Sequence, residues 1–136
     1  MYLFDTDVLS NIVKTAPSSG LLEKLRKTPQ DLQFTTAINI GEIYYGASRS
    51  SYRERIIEAF EEKVFPQLKI LAFDEESAKI FGALKARLEK KGLSASEPDL
   101  RIASIALQHK LSLITGNEKH YKNIPRLVVE NWLGGD

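Results

Sequence analysis

A handful of polar residues in this chain stand where solvation alone explains them poorly. Asp5 closes the short apolar run Tyr2-Leu3-Phe4, and Asp7 follows at the start of TDVLSNIVK, a segment that reads as a helix. One simple reading makes Asp5 or Thr6 the helix cap. A carboxylate at the carboxyl end of a strand, beside a helix start, is also where a hard cation would sit. Glu42 lies in TAINIGEIYYGA, a helix apolar nearly all round, whose core stripe is Ile40, Ile43, Tyr44 and Ala47. Its polar side chains are Thr36, Asn39 and Glu42, spaced by three along one slanting seam. A carboxylate set among apolar residues needs partners, or it neutralises. Asp99 ends Ser96-Glu97-Pro98-Asp99, which matches a capping box with Ser96 as N-cap. From the start of that helix Asp99 can also face the strand ends. Asn117 and Glu118 follow the strand-like LSLIT, in a turn that welcomes Gly116 and Asn117 on backbone grounds.

Gathered in a fold, such acids would repel one another unless a divalent cation joined them. Mg2+ or Mn2+ takes oxygen ligands, commonly one or two carboxylates with water and substrate phosphate. The chemistry this set suits is phosphodiester hydrolysis, in which the metal activates a water and stabilises charge on the attacking and leaving oxygens. Asn117, Glu118 and Glu97 each remain open as the residue that completes the site. His120 reads as an exposed turn residue, and Phe34, Tyr44, Tyr45 and Trp132 read as core.

The elements that would position these residues alternate along the chain. After the opening apolar run and helix, LLEKLRK (residues 21–27) is a second short helix. A strand over 32–35 leads to Thr36, which caps a helix to about Ala47. Residues 52–65 are amphipathic, with Ile56, Ile57, Phe60 and Val64 on one side. A strand over 68–73 precedes a long helix capped by Asp74, ending at Lys91 and Gly92. Then come a loop, helix PDLRIASIALQHK, strand LSLIT, the polar turn GNEKHY and the strand-like RLVVENW. Strands alternating with helices predict an α/β layer fold with a mainly parallel sheet. Ligands of such sheets bind beyond the carboxyl ends of the strands. Repeats, low-complexity tracts and linkers are absent, so residues 1–136 read as one domain.

Composition excludes more than it selects. With no cysteine, thiolate metal sites, disulfides and thiol nucleophiles are ruled out. His109 and His120 stand eleven positions apart, which is not zinc spacing. Met1 leads straight into Tyr2-Leu3-Phe4, without the basic start and long apolar stretch of a signal peptide. Uncharged apolar runs fall well short of the roughly 18 residues that cross a bilayer. A cytoplasmic location without membrane association is therefore expected. The net charge of +1 gives no global steering of nucleic acid, so an RNA substrate would need a local basic patch. Candidates are Arg49, Arg53 and Arg55, with Lys119 and Lys122 near the Asn117 turn.

The ordered set of motifs resembles the VapC-type PIN domains. YLFDTDVLSNIV is similar to that family's opening strand and Asp-Thr-Asn/Asp. TTAINIGEIYYGA resembles its Ser/Thr-x-x-Thr-x-x-Glu-Leu-x-x-Gly helix, with Thr36, Asn39, Glu42 and Gly46 in the matching places. EPDLRIASIALQHKLSLITGN looks like the third acid, the Ile-Ala-rich helix and the following strand, and HYKNIPRLVVENW like the usual close. The resemblance implies a PIN-like three-layer sandwich in which helices flank a mainly parallel central sheet. It further implies that Asp5, Glu42 and Asp99 are catalytic acids binding Mg2+ or Mn2+, with Asn117 where many relatives carry a fourth aspartate. An endoribonuclease toxin is implied with it, as are homodimerisation and inhibition by a cognate antitoxin whose C-terminal segment enters the acidic groove. The apolar residues Leu21, Leu22, Leu25, Ile56 and Phe60 offer that partner a docking surface, unless they face the protein's own core.

Two other readings fit parts of the pattern. Phe4-Asp5-Thr6-Asp7-Val8 also resembles the opening of haloacid-dehalogenase-like phosphohydrolases, with Asp5 as nucleophile, although after LSLIT no Asp stands in the expected place. The other is a catalytically silent PIN binding module, against which the intact Asp5, Glu42 and Asp99 speak.

Overall fold

The computed structural model describes residues 1–134. Its five strands are β1 (Tyr2–Phe4), β2 (Gln33–Thr36), β3 (Lys69–Leu71), β4 (Ser112–Ile114) and β5 (Val129–Glu130). All the pairings are parallel, in the order β3-β2-β1-β4-β5. Six helices connect or follow them: α1 (Thr6–Ile12), α2 (Ser19–Lys27), α3 (Ala37–Arg49), α4 (Arg53–Lys63), α5 (Glu75–Lys90) and α6 (Glu97–His109).

Side-chain alternation along the strands builds a core on each face of the sheet. Leu3 and Leu113 point into one core, with Leu84 and Leu88 of α5 and Leu100, Ile102 and Ile105 of α6. Phe4 and Ile114 point into the other, with Val8 and Leu9 of α1, Leu21 of α2, Ile43 of α3 and Phe60 of α4. The result is the expected three-layer sandwich, with the sheet wholly parallel. Leu3, Phe4, Leu113 and Ile114 are all 0% exposed, which explains why β1 and β4 read as continuous apolar runs.

From β1 the chain proceeds outward through β2 to β3, then returns to lay β4 against the other side of β1. The sheet therefore reverses direction between β1 and β4, and their carboxyl ends open the crevice where ligands of such sheets bind. Asp5 follows β1 and Thr115 follows β4. Thr36, Asp74 and Ser96 cap α3, α5 and α6 by accepting the N–H of Asn39, Ser77 and Asp99.

Local chemistry shifts some boundaries from the sequence reading. The helix expected over 52–65 stops at Lys63, and the chain tightens into a 3-10 turn over Phe65–Gln67 that contains Pro66. The strand expected in RLVVENW shrinks to Val129–Glu130. Arg126 sits at a left-handed φ of 66°, and Trp132 turns into the core against the Tyr2 and Phe4 rings. Leu21 and Phe60 belong to the core and offer no docking surface. Tyr45, expected in the core, is 64% exposed.

Lys110 ends α6 in the left-handed region, at φ 56° and ψ 45°. A side chain there is strained where glycine is not. Lys110→Gly is expected to stabilise the protein by about 0.5–1 kcal/mol, read as a higher denaturant midpoint at unchanged slope; a lower midpoint would contradict the assignment of strain.

Candidate active site

Asp5 is the centre of the crevice. It is 7% exposed, and three firm donors converge on its carboxylate. The Thr6 N–H (2.9 Å) and Asn39 Nδ2 (3.0 Å) donate to Oδ1, while the Thr115 hydroxyl (2.9 Å) donates to Oδ2. Asp5 thus caps α1, and the capping reading and the site reading describe one residue. Asn39, fully buried, spends its other amide hydrogen on Thr6 Oγ1 (3.0 Å) and accepts from Thr36 Oγ1 (2.7 Å) through its own oxygen. Thr6 in turn donates to Glu42 Oε1 at 2.7 Å. The seam of Thr36, Asn39 and Glu42 is therefore a relay that fastens α3 to the end of β1.

Asp7 is held from the opposite side. Its Oδ2 accepts the Gly116 N–H (2.8 Å) and Asn117 Nδ2 (3.2 Å), just past β4. A Cβ on Gly116 would lie 2.6 Å from that oxygen and 2.7 Å from a Leu133 methyl, so a side chain there would push the Asp7 carboxylate or the Leu133 side chain aside. Asp99 stands at the start of α6, where its N–H bonds Ser96 at 3.3 Å. Its carboxylate does not return to the cap; Oδ1 lies 3.1 Å from the Tyr121 hydroxyl and Oδ2 lies 3.5 Å from His120 Nδ1. That same Tyr121 hydroxyl is 3.1 Å from Asp5 Oδ2.

Asp5, Asp7, Glu42 and Asp99 line one cavity of about 380 Å³, with Asn117 and His120 on its wall. The expected residues Asp5, Glu42, Asp99 and Asn117 are thus brought together. Glu97 is not among them: it pairs on the surface with Lys85 (3.0 Å) and Arg101 (3.8 Å). Glu118 lines a neighbouring hollow with Lys119 and His120. Asp7, Thr6, Thr115 and Tyr121 join the site without having been assigned to it from sequence. Asp7 carried a signal, its spacing from Asp5; Tyr121, in a polar turn, carried none.

The electrostatics follow from crowding. Burial, then the neighbouring Asp5, raises the Asp7 carboxyl above its ordinary range, against the hydrogen bonds of Gly116, Val8 and Thr115. Burial likewise raises Glu42, with Asp5 and Asp99 adding to it and the Thr6 hydroxyl opposing. Among the described residues no three of these acids are already gathered closely enough to hold one ion together. The donor set nevertheless fits a hard cation: carboxylate oxygens around one cavity, without a Lys or Arg among them to neutralise the charge.

The PIN domain family profile matches residues 2–127. Ribonuclease VapC2 of Haemophilus influenzae is 33% identical over 97% of this chain and 98% of its own length. The tRNA(fMet)-specific endonuclease VapC of Salmonella typhimurium is 27% identical over 96% of this chain and 97% of its own. Among solved structures, VapBC2 from Rickettsia felis bound to a promoter DNA fragment superposes with a TM-score of 0.86 at 28% identity, covering 96% of this chain and 98% of that one. DNA-bound VapBC from Salmonella typhimurium gives 0.88 at 26% identity, covering 96% and 97%. The chain belongs to the PIN-domain family, in its VapC ribonuclease branch.

Because Asp7 and Glu42 are raised, ionising them costs more in the metal-free fold than in the unfolded chain. Their contribution to stability is full below the unfolded carboxylate value and is lost as pH rises through the raised one. Glu42→Gln should therefore raise the melting temperature of metal-free protein at pH 7 and flatten its fall between pH 4 and 7. Asp5→Ala should lower the melting temperature instead, costing roughly 2–4 kcal/mol by stranding the buried donors of Asn39 and Thr115. Thermal melts in chelator check both; equal destabilisation by the two changes would contradict the different surroundings described.

Proposed function

We propose that this chain is the toxin of a toxin–antitoxin pair and a divalent-metal-dependent endoribonuclease. The observation that carries the reading is the placement of Asp5, Asp7, Glu42 and Asp99 around one cavity at the carboxyl ends of β1 and β4. Family membership supports it, since the relatives named above are ribonucleases or endonucleases.

Asp5, Glu42 and Asp99 are the proposed ligands of Mg2+ or Mn2+. When bound, the cation supplies an activated water and offsets charge on the leaving oxygen. The chain's own part is positional. Asp5 is fixed by its donors and serves as the anchor. Glu42 is aimed by Thr6, and Asp99 by Tyr121. Asn117 adds no charge; its amide steadies Asp7. Asn117 and His120, exposed members of the cavity wall, are where a phosphodiester would enter.

RNA would need cations on the surface beyond this acidic cavity, and the candidates differ in how they are paired. Arg53 is paired with Glu54 at 2.6 Å. Arg49 and Arg55 lie over the exposed Tyr45 and Tyr52 rings at 5.5 and 5.4 Å, and among the described residues neither meets a carboxylate. Lys119 and Lys122 line a hollow that shares Asp99 and His120 with the acidic cavity. Arg49, Arg55, Lys119 and Lys122 are therefore the proposed phosphate contacts, and the exposed tyrosines suit unpaired bases.

A cognate antitoxin is the proposed partner; the solved relatives named VapBC support this. An Arg or Lys from it would replace the cation among the carboxylates. Its apolar helix would find a hollow lined by Phe4, Ile12, Leu25, Val64 and Leu68, with Leu22 exposed on the same helix as Leu25. A twofold homodimer is proposed on the family resemblance. Among the described residues no helix is long and apolar enough to cross a membrane. The cytoplasm is the compartment this reading requires. A haloacid-dehalogenase-like reaction is disfavoured, because the turn after β4 reads Gly116-Asn117-Glu118 and lacks the acid pair that such an enzyme needs there.

Purified protein should cut single-stranded RNA with Mg2+ or Mn2+, stop with chelator and resume on adding metal. Asp99→Asn and Glu42→Gln should each lower cleavage by about a hundredfold or more, with the pair little worse than either alone. A folded single variant cutting at the wild-type rate would remove that residue from the site. Reversing Arg49 and Arg55 should flatten the fall of RNA affinity with salt; an unchanged slope would rule out that patch.

A further inference from the structure

Among the described residues, Tyr121 is the one side chain within hydrogen-bond distance of both Asp5 and Asp99. It is 1% exposed, in the 3-10 turn over Glu118–Tyr121, and its hydroxyl stands 3.1 Å from an oxygen of each acid. A phenol has a single hydrogen to donate. Which acid receives it follows from what each already has.

A carboxylate offers about four lone-pair sites. Asp5 has three of them taken, by the Thr6 N–H, Asn39 Nδ2 and the Thr115 hydroxyl. The Thr115 hydrogen belongs to Asp5, at 2.9 Å, since its alternative, Asp7 Oδ1, is at 3.5 Å. Among the described residues Asp99 has one other side-chain neighbour of this kind: His120 Nδ1 stands off at 3.5 Å, on the other carboxylate oxygen. The hydrogen is worth most on the acid that lacks a donor.

We infer that Tyr121 is a positioning residue for the cation site, donating its one hydrogen to Asp99 so that this carboxylate is held facing Asp5. The inference rests on the metal-binding reading proposed above. Asp99 belongs to α6 and Asp5 to the end of β1, and like charges would drive them apart. The buried hydroxyl between them fixes their separation before any cation arrives, so less ordering is left for the binding step. Hydrogen-bonded partners of metal-binding carboxylates commonly matter about ten- to a hundredfold in affinity.

Tyr121→Phe removes only the hydroxyl and keeps the ring in the core. Calorimetric titration of Mn2+ into the full chain should show affinity about tenfold weaker than wild type, with a cooperative melt confirming that the variant is folded. The Mn2+ dependence of RNA cleavage should move to about tenfold higher metal and reach the same plateau. In an Asp99→Asn background the Phe change should weaken Mn2+ binding no further. Equal or tighter binding by Tyr121→Phe overturns the inference, as does a lowered plateau at unchanged affinity or a full additional loss in the Asp99→Asn background. Failure of wild-type protein to bind Mn2+ at all would overturn the metal-binding reading itself, and this inference with it.

Discussion

The structure is organised around one buried carboxylate. An ionised Asp5, almost sealed from water, is tolerable only if its oxygens are hydrogen-bonded. The donors it recruits come from three places in the chain: Thr6 at the start of α1, Asn39 in α3 and Thr115 after β4. Satisfying Asp5 therefore sets the positions of the segments that carry Asp7, Glu42 and Asn117, and Tyr121 joins Asp99 to them. The parallel pairing of β1 with β4 brings Thr115 within reach, and the α3 cap at Thr36 sets the phase that turns Asn39 inward.

The same arrangement explains why the acids differ. Asp5 belongs to the fold as much as to the site, because partners depend on it. Asp7 and Glu42 are crowded and raised by burial and by their neighbours, so without a cation they work against the fold. A site of this kind accepts either a divalent cation or a partner's basic side chain, since each relieves the same repulsion. That equivalence supplies a physical route for an antitoxin to silence the proposed nuclease.

Much of this was legible in the sequence. Apolar β1 and β4 could be read because both of their faces are buried, and Thr36, Asp74 and Ser96 announced their helices by residue type. The three-residue spacing of Thr36, Asn39 and Glu42 marked a polar seam, and the seam proved to be the relay onto Asp5. Asp99 looked like half of a capping box; it supplies the backbone half, while its carboxylate goes to Tyr121. Other features were hidden because their causes are distant in the chain. Tyr121 meets Asp5 across 116 positions, and no local pattern signals it. The brevity of β5 depends on Trp132 turning back onto Tyr2 and Phe4. Exposure of Tyr45 likewise depends on how α3 packs, which an apolar stripe on a helix does not determine by itself.

The central claim is that the acids around Asp5 form one cation site. Substoichiometric Mn2+ added to isotope-labelled protein tests it most directly, because paramagnetic broadening reports which amides lie near the ion. The account predicts that the amide signals of Thr6, Asp7, Asp99, Gly116 and Asn117 fade first, while those of Leu25 and Ile70 persist. Broadening centred elsewhere, or spread evenly over surface acids such as Glu54 and Glu76, would contradict it.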